Sequence, residues 1–212
     1  MTRRKFENHP ELPYHITARC INRDWFSQDL PHVWDITTRH LYFTALAFDL
    51  RIHSFVLMSN HFHMIVRSPQ ANLSEAMQYF MRATGNDLRE ISGRINQTYG
   101  GRFHRSLITH PHHYDHAYKY VYRNPVEAGQ CERVQDYPYS TIQALMGRKM
   151  VEVPVLEDPR WGTWEDRVQT LRWLNSKPHE DNWESVRKAL RKGVFALPKM
   201  DSRSSPLEDC AL

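Results

Sequence analysis

Between residues 52 and 66 the chain runs Ile52-His53-Ser54-Phe55-Val56-Leu57-Met58, breaks at Ser59-Asn60, and resumes as His61-Phe62-His63-Met64-Ile65-Val66. Two runs rich in β-branched and aromatic residues around a two-residue turn predict a β-hairpin. A central hairpin excludes an all-helical bundle, and its antiparallel pairing argues against a doubly wound parallel sheet. The flanking segments narrow the choice further. Tyr14 to Ile21 has strand character, and Trp34, Thr38, Leu41, Ala45 and Phe48 recur at helical intervals over 32–49. After Pro69, Asn72 or Ser74 caps a second helix with Leu73, Met77, Phe80 and Met81 on one face, ending near Ser92-Gly93. Gly100-Gly101 marks a break, 102–108 reads as a short strand, and a third helix covers about 113–123. That helix is predicted to stop near Asn124, because Pro125 disfavours helical geometry in the residue before it. The order β-α-β-β-α-β-α predicts an α+β fold, an antiparallel sheet with helices packed on it.

From about Met146 the pattern changes. Residues 148–159 hold two prolines and few periodic signals, and read as a linker or extended arm. Helices are predicted at 164–175 and 181–192, the second with Asp181 and Glu184 in capping-box spacing and Gly193 at its end. From Ser202 the chain reads as a loose tail. The domain reading is one unit over 1–148, then a linker and small helical extension over 149–212. Residues 1–149 carry 18 Lys/Arg against 13 Asp/Glu, residues 150–212 carry 10 against 11, and 21 of the 28 basic residues are arginine. Guanidinium forks suit phosphate oxygens, so the basic first part is compatible with a nucleic-acid partner, as it is with an ordinary solvated surface. No apolar run approaches the ~18 residues of a membrane span. The basic start Arg3-Arg4-Lys5 is not followed by the apolar stretch of a signal peptide. Cys20, Cys131 and Cys210 form neither a disulfide framework nor a CxxC metal knuckle. The expected compartment is the cytoplasm, with no membrane partner.

Two segments carry chemistry. On a strand, residues two apart project from one face, so His61 and His63 present two imidazoles side by side while Phe62 and Met64 point the other way. Two imidazoles held on a rigid strand make half of a divalent-metal site. The pair alone fits equally well with two polar residues on an exposed sheet face. Sixty residues on, Tyr118-Lys119-Tyr120-Val121-Tyr122-Arg123-Asn124-Pro125 places Tyr120 and Asn124 at i and i+4 on one helical face. A phenol one turn from an amide can set a nucleophile beside an oxygen ligand, whereas simple packing explains Tyr120 taken by itself. Tyr114, Tyr118 and Tyr122 form a separate stripe, read as core. His110, His112, His113 and His116 read as a solvated or DNA-proximal helix start, and Trp161, Trp164, Trp173 and Trp183 as the core of the C-terminal extension, although tryptophans also stack on bases.

Together the stretches Val56 to Val66 and Tyr120-Val121-Tyr122-Arg123-Asn124-Pro125-Val126-Glu127-Ala128-Gly129 resemble the single-tyrosine HUH transposases, in particular their REP-associated, IS200-like branch. The likeness extends to Tyr14-His15-Ile16-Thr17-Ala18-Arg19, Gly101-Arg102-Phe103 and Tyr137-Pro138-Tyr139-Ser140-Thr141, covering roughly residues 12–145. Ser59 stands where the family often has proline, and Gln130-Cys131 where apolar residues are expected. The resemblance implies a ferredoxin-like sheet with the histidine pair on a central strand under the tyrosine helix. It implies that His61, His63 and Asn124 bind Mg²⁺ or Mn²⁺ and that Tyr120 is the nucleophile. The implied activity is cutting and rejoining of single-stranded or hairpin DNA, such as REP-like palindromes, through a 5′-phosphotyrosine, by a monomer or a dimer. Arg102, Arg105, Arg3, Arg4 and Lys5 are the candidate DNA contacts. The alternatives are a domesticated relative that binds hairpins without cutting them, and an unrelated metal-dependent hydrolase using the HxH pair. No carboxylate stands near either motif as such a hydrolase would require.

Overall fold

The computed structural model describes residues 8–197. The chain passes through β1 (Tyr14–Arg19), α1 (Leu30–Phe48), β2 (Arg51–Leu57), β3 (His61–Arg67), α2 (Leu73–Ser92), β4 (His104–Ile108) and α3 (Pro111–Glu127). The four strands lie in the order β2-β3-β1-β4, each neighbouring pair antiparallel. The predicted hairpin is β2–β3, and its turn is tied down from outside: Cys20 N–H donates to the Asn60 carbonyl at 2.8 Å and Phe26 N–H to that of Ser59 at 2.9 Å. These bonds hold the turn without the proline that Ser59 replaces.

Strand alternation gives the sheet two faces, each with its own core. Tyr14, Ile16, Phe62, Met64 and Val66 face α1 and α2, where they pack with Leu41, Phe55 and Phe80. Phe62 sits centrally, its ring 5.8 Å from that of Phe55 and 5.6 Å from that of Phe80. Burying each such side chain contributes about 1.5–3 kcal/mol. On the opposite face Val56, Ile65 and Ile108 meet Ala117, Tyr118, Val121 and Tyr122 of α3. Tyr114, Tyr118 and Tyr122 form the expected packing stripe, with successive rings 5.7 and 4.9 Å apart.

Helix α3 does not stop at Asn124. Pro125 lies inside it, and one further turn reaches Glu127. Proline removes only its own N–H, and Ala128 N–H donates to the Asn124 carbonyl at 3.0 Å while Gln130 N–H donates to that of Pro125 at 2.9 Å. Arg123 clamps the added turn, its Nη2 2.6 Å from Glu127 Oε1 in an i,i+4 pair. Packing of the buried Pro125 and Arg123 thus overrides the local preference.

After α3 come α4 (Ile142–Leu145), α5 (Trp164–Asn175), α6 (Glu180–Ala189) and a short strand β5 (Val194–Phe195). β5 pairs in parallel with β4, so the sheet is mixed rather than wholly antiparallel. Residues 148–159, read as a linker, run along the outer edge of β2. There Leu156 N–H donates to the Ile52 carbonyl at 2.8 Å and Val153 is buried. An open strand edge is a site for unwanted pairing, and this arm covers part of it. The capping box of the extension belongs to α5, where Thr163 and Asp166 cap each other, and α6 starts one residue early with His179 rather than Asp181 at its N-cap. Trp161 and Trp173 join the core, whereas Trp164 is 77% exposed. Arg3, Arg4, Lys5 and the tail from Ser202 lie outside the described residues.

Thr141 ties α3 and β2 together. Its hydroxyl accepts from Phe55 N–H at 2.9 Å and pairs with the Tyr122 hydroxyl at 3.0 Å in the interior. Thr141→Val, which keeps the shape and strands both partners, is expected to lower the unfolding free energy by about 1–3 kcal/mol in urea titrations.

The reading of a wholly solvated α3 start fails at His116, which is buried with its ring 4.7 Å from that of His112. Burial, reinforced by the neighbouring His112, pushes His116 down to about 2, and burial pushes His53 down to about 4. Unfolded histidine takes up a proton near pH 6.5 and these folded ones do not. Their contribution is therefore complete above pH ~6.5 and is lost as pH falls toward 4. The urea midpoint is expected to drop steadily over that window, and His53→Gln to flatten part of the drop.

Candidate active site

The second face of β3 builds the site. His61 and His63 are neighbours on it, their rings 4.9 Å apart and nearly perpendicular. They do not lie on an exposed sheet face: α3 crosses above, and the Tyr120 ring stands 5.5 Å from that of His63. Arg19, cross-strand from His61, and Thr17, cross-strand from His63, extend the same face onto β1. Burial pushes His61 down to about 4 and His63 well below the usual imidazole range, with Arg19 and the neighbouring imidazoles adding to the effect. Both are neutral at physiological pH, the state in which imidazole donates a lone pair to a metal.

Their orientations are set by neighbours. His61 Nδ1 lies 2.6 Å from Asn60 Oδ1, while the Asn60 amide nitrogen donates to the Arg23 carbonyl at 2.8 Å. An amide oxygen only accepts, so Nδ1 carries the hydrogen and the lone pair of His61 sits on Nε2. His63 Nδ1 lies 3.0 Å from His15 Nε2. With His63 as donor, its Nε2 is likewise the free lone pair. The Asn124 side-chain nitrogen donates to the Tyr120 carbonyl at 2.7 Å, which leaves its Oδ1 as an acceptor. Two imidazole nitrogens and one amide oxygen fit a divalent cation with open positions for other ligands. Among the described residues no three His, Cys, Asp or Glu side chains come together as a metal cage, so any such centre is a mixed one that includes the amide.

Tyr120 is buried. Burial raises its phenol, whereas a hydrogen bond with the Asn124 side chain and the charges of Arg187, Arg191 and Arg19 pull it back. Its ring lies 4.6 Å from that of Trp183 on α6, tilted by 30°. These groups line an open groove of about 830 Å³, together with Arg23, Arg102 and His104. Contrary to the expectation that no carboxylate stands near either motif, Glu127 lines the groove, the sole carboxylate among its described lining residues, and Arg123 pairs with it.

The structure gathers some of the sequence candidates and not others. His61, His63, Tyr120, Asn124 and Arg102 share the groove. Arg105 points to the opposite face of the sheet, where its guanidinium holds Asn8 at 2.7 Å and Ser74 at 3.2 Å. No role in the site follows from the sequence for His15, Arg19, Arg23, Arg187 or Arg191, and Trp183, read as core of the extension, lies instead against Tyr120. For His15 and Arg19 the alternation of β1 was the available signal, and for Trp183, Arg187 and Arg191 the four-residue spacing on one helical face. Neither pattern says which surface the face meets.

The described helices include none long and apolar enough to cross a membrane. No curated relative matches the chain. The solved structure described as "Structure of the REP associates tyrosine transposase bound to a REP hairpin" is similar to it, with 20% identity, a TM-score of 0.57, and coverage of 74% of this chain and 93% of that one. That likeness establishes a shared α+β architecture. The family model "Transposase IS200 like" matches residues 8–123, a span that takes in β1, the hairpin with both histidines, and α3 through Tyr120. With more than half of the chain matched and those residues converging on one groove, the chain belongs to the IS200-like transposase family.

Proposed function

We propose that this chain is a metal-dependent DNA strand transferase that cuts and rejoins single-stranded or hairpin DNA through a 5′-phosphotyrosine. The observation that carries this reading is the placement of Tyr120 over His63, with Asn124 one turn away, in a groove lined by several arginines. The similar solved protein is bound to a REP hairpin, which supports a hairpin substrate.

His61, His63 and Asn124 would hold Mg²⁺ or Mn²⁺, which supplies Lewis-acid stabilisation of phosphate charge when bound. The chain's own residues do the rest. Arg19 and Arg102 attract the DNA backbone and orient the scissile phosphate in the groove. Tyr120 attacks phosphorus in line: the Oη–P bond forms, the P–O3′ bond breaks, and the departing oxygen takes up a proton as a 3′-hydroxyl. Deprotonation of the phenol is eased by Asn124 and by the arginines that offset its burial. The phosphotyrosine keeps the bond energy of the phosphodiester, so another 3′-hydroxyl reverses the chemistry and rejoins DNA without a nucleotide cofactor. All these groups come from one chain, and the work on DNA belongs in the cytoplasm.

Incubation with a 5′- and 3′-labelled hairpin oligonucleotide and Mn²⁺, followed by denaturing electrophoresis, is expected to show a covalent adduct. Tyr120→Phe and chelation should each abolish it. Cleavage that survives Tyr120→Phe would sink the reading, and tight binding with no adduct in any divalent metal would favour a hairpin-binding protein that does not cut.

The Asn60 bond to His61 makes a separate prediction. Asn60→Ala frees the imidazole tautomer and is expected to weaken Mn²⁺ binding about 10–100-fold, read by calorimetry in the absence of DNA.

A further inference from the structure

Helix α6 lies beyond the segment matched by the family, yet it forms one wall of the groove. Val186, Ala189 and Leu190 are buried against the body of the protein, and the Leu190 carbonyl pairs with His104 Nε2 at 3.0 Å. Trp183 seats the helix against the Tyr120 ring. Arg187, four residues further along the helix, and Arg191, in the turn just after it, both line the groove, and both are exposed.

The charge around them is unbalanced. Arg187 reaches Glu184 at 2.9 Å, an exposed i,i+3 pair of the kind that is easily exchanged for a phosphate. Among the described residues, no ion pair is made by Arg19, Arg23, Arg102 or Arg191. Burial lowers the Arg19 guanidinium most, and the nearby charges of Arg23, Arg191 and Arg187 lower it further. Like charges held together around a concave surface are relieved by a polyanion.

We propose that α6 and the turn after it form a backbone clamp: Arg187 and Arg191, with Arg19 across the groove, bind phosphates of the single strand that passes Tyr120. This rests on the strand-cutting reading of the same groove. The clamp grips the flank of the scissile phosphate rather than the paired stem, because its arginines stand beside the nucleophile, where the substrate must be unpaired to reach it. Trp183 fixes the clamp's position relative to the phenol.

The test compares the full chain with its R187A/R191A and R187K/R191K forms, all carrying Tyr120→Phe so that no adduct forms. Fluorescence anisotropy over a salt series is read with two labelled probes, a hairpin carrying a single-stranded foot and the same hairpin without it. For the footed hairpin, R187A/R191A is expected to reduce the slope of log affinity against log salt by about 1.4, the value for two phosphate contacts on a single strand. The footless hairpin should be unaffected, and R187K/R191K should restore the slope. An unchanged slope on the footed hairpin, or an equal loss on both probes, would overturn the clamp. Both positions are exposed, and matching near-UV circular dichroism confirms that folding is intact. The strand-cutting reading is tested separately by adduct formation with unmodified Tyr120. A chain that forms no adduct but loses the salt slope in R187A/R191A retains the clamp and loses the chemistry, whereas an adduct with an unchanged slope does the reverse.

Discussion

The two-sidedness of β3 is the constraint on which the rest of this structure depends. Phe62, Met64 and Val66 lie in one core, while His61, His63 and Ile65 face the other side of the sheet. A shift of one residue in register would drive the imidazoles among α1 and α2 and turn Phe62 toward the groove. Both outcomes are costly, since buried imidazoles would lose their polar partners and a large apolar ring would lose its packing. The hydrophobic layer therefore does more than stabilise the sheet: it selects the register that presents two neutral imidazoles on one face. Helix α3 then closes that face, bringing Tyr120 over His63 through the same packing that buries Ala117 and Val121.

The site is also shaped by groups that never meet a substrate. Asn60 sets the tautomer of His61 and is itself fixed by the Arg23 carbonyl. His15 pairs with His63 and stacks beside it, their ring centroids 5.1 Å apart. The last turn of α3, retained despite Pro125, carries Glu127 to Arg123 and so removes a carboxylate from the charge balance of the groove. What lines the groove beside them is arginine, drawn from β1, the loop after it, the approach to β4, α6 and the turn that follows α6. A surface of one sign beside a buried phenol favours an anionic backbone over a neutral ligand.

The C-terminal extension changes meaning once it is placed. As sequence it reads as a linker followed by two helices. In the fold its first stretch covers the edge of β2, β5 extends the sheet beside β4, and α6 stands against Tyr120. Trp183 is thus neither an ordinary core residue nor a free stacking platform. Its ring lies on Tyr120, a juxtaposition of residues 63 positions apart that no local pattern encodes.

Local chemistry settled which elements form: the hairpin from its turn and β-branched runs, the long helices from apolar spacing, and the pairing of His61 with His63 from the period of a strand. The tyrosine stripe of α3 and the separate face of Tyr120 follow from helical period alone. The structure was needed for everything that depends on what a face meets. Pro125 sits inside a helix because long-range packing outweighs a local preference, Arg105 turns away because strand parity assigns it to the opposite layer, and His15, Arg187 and Arg191 join the site because distant elements converge there. Side-chain periodicity is a property of the backbone and can be read from order along the chain. Convergence depends on burying two apolar layers at once, a condition that exists only when the whole chain is packed.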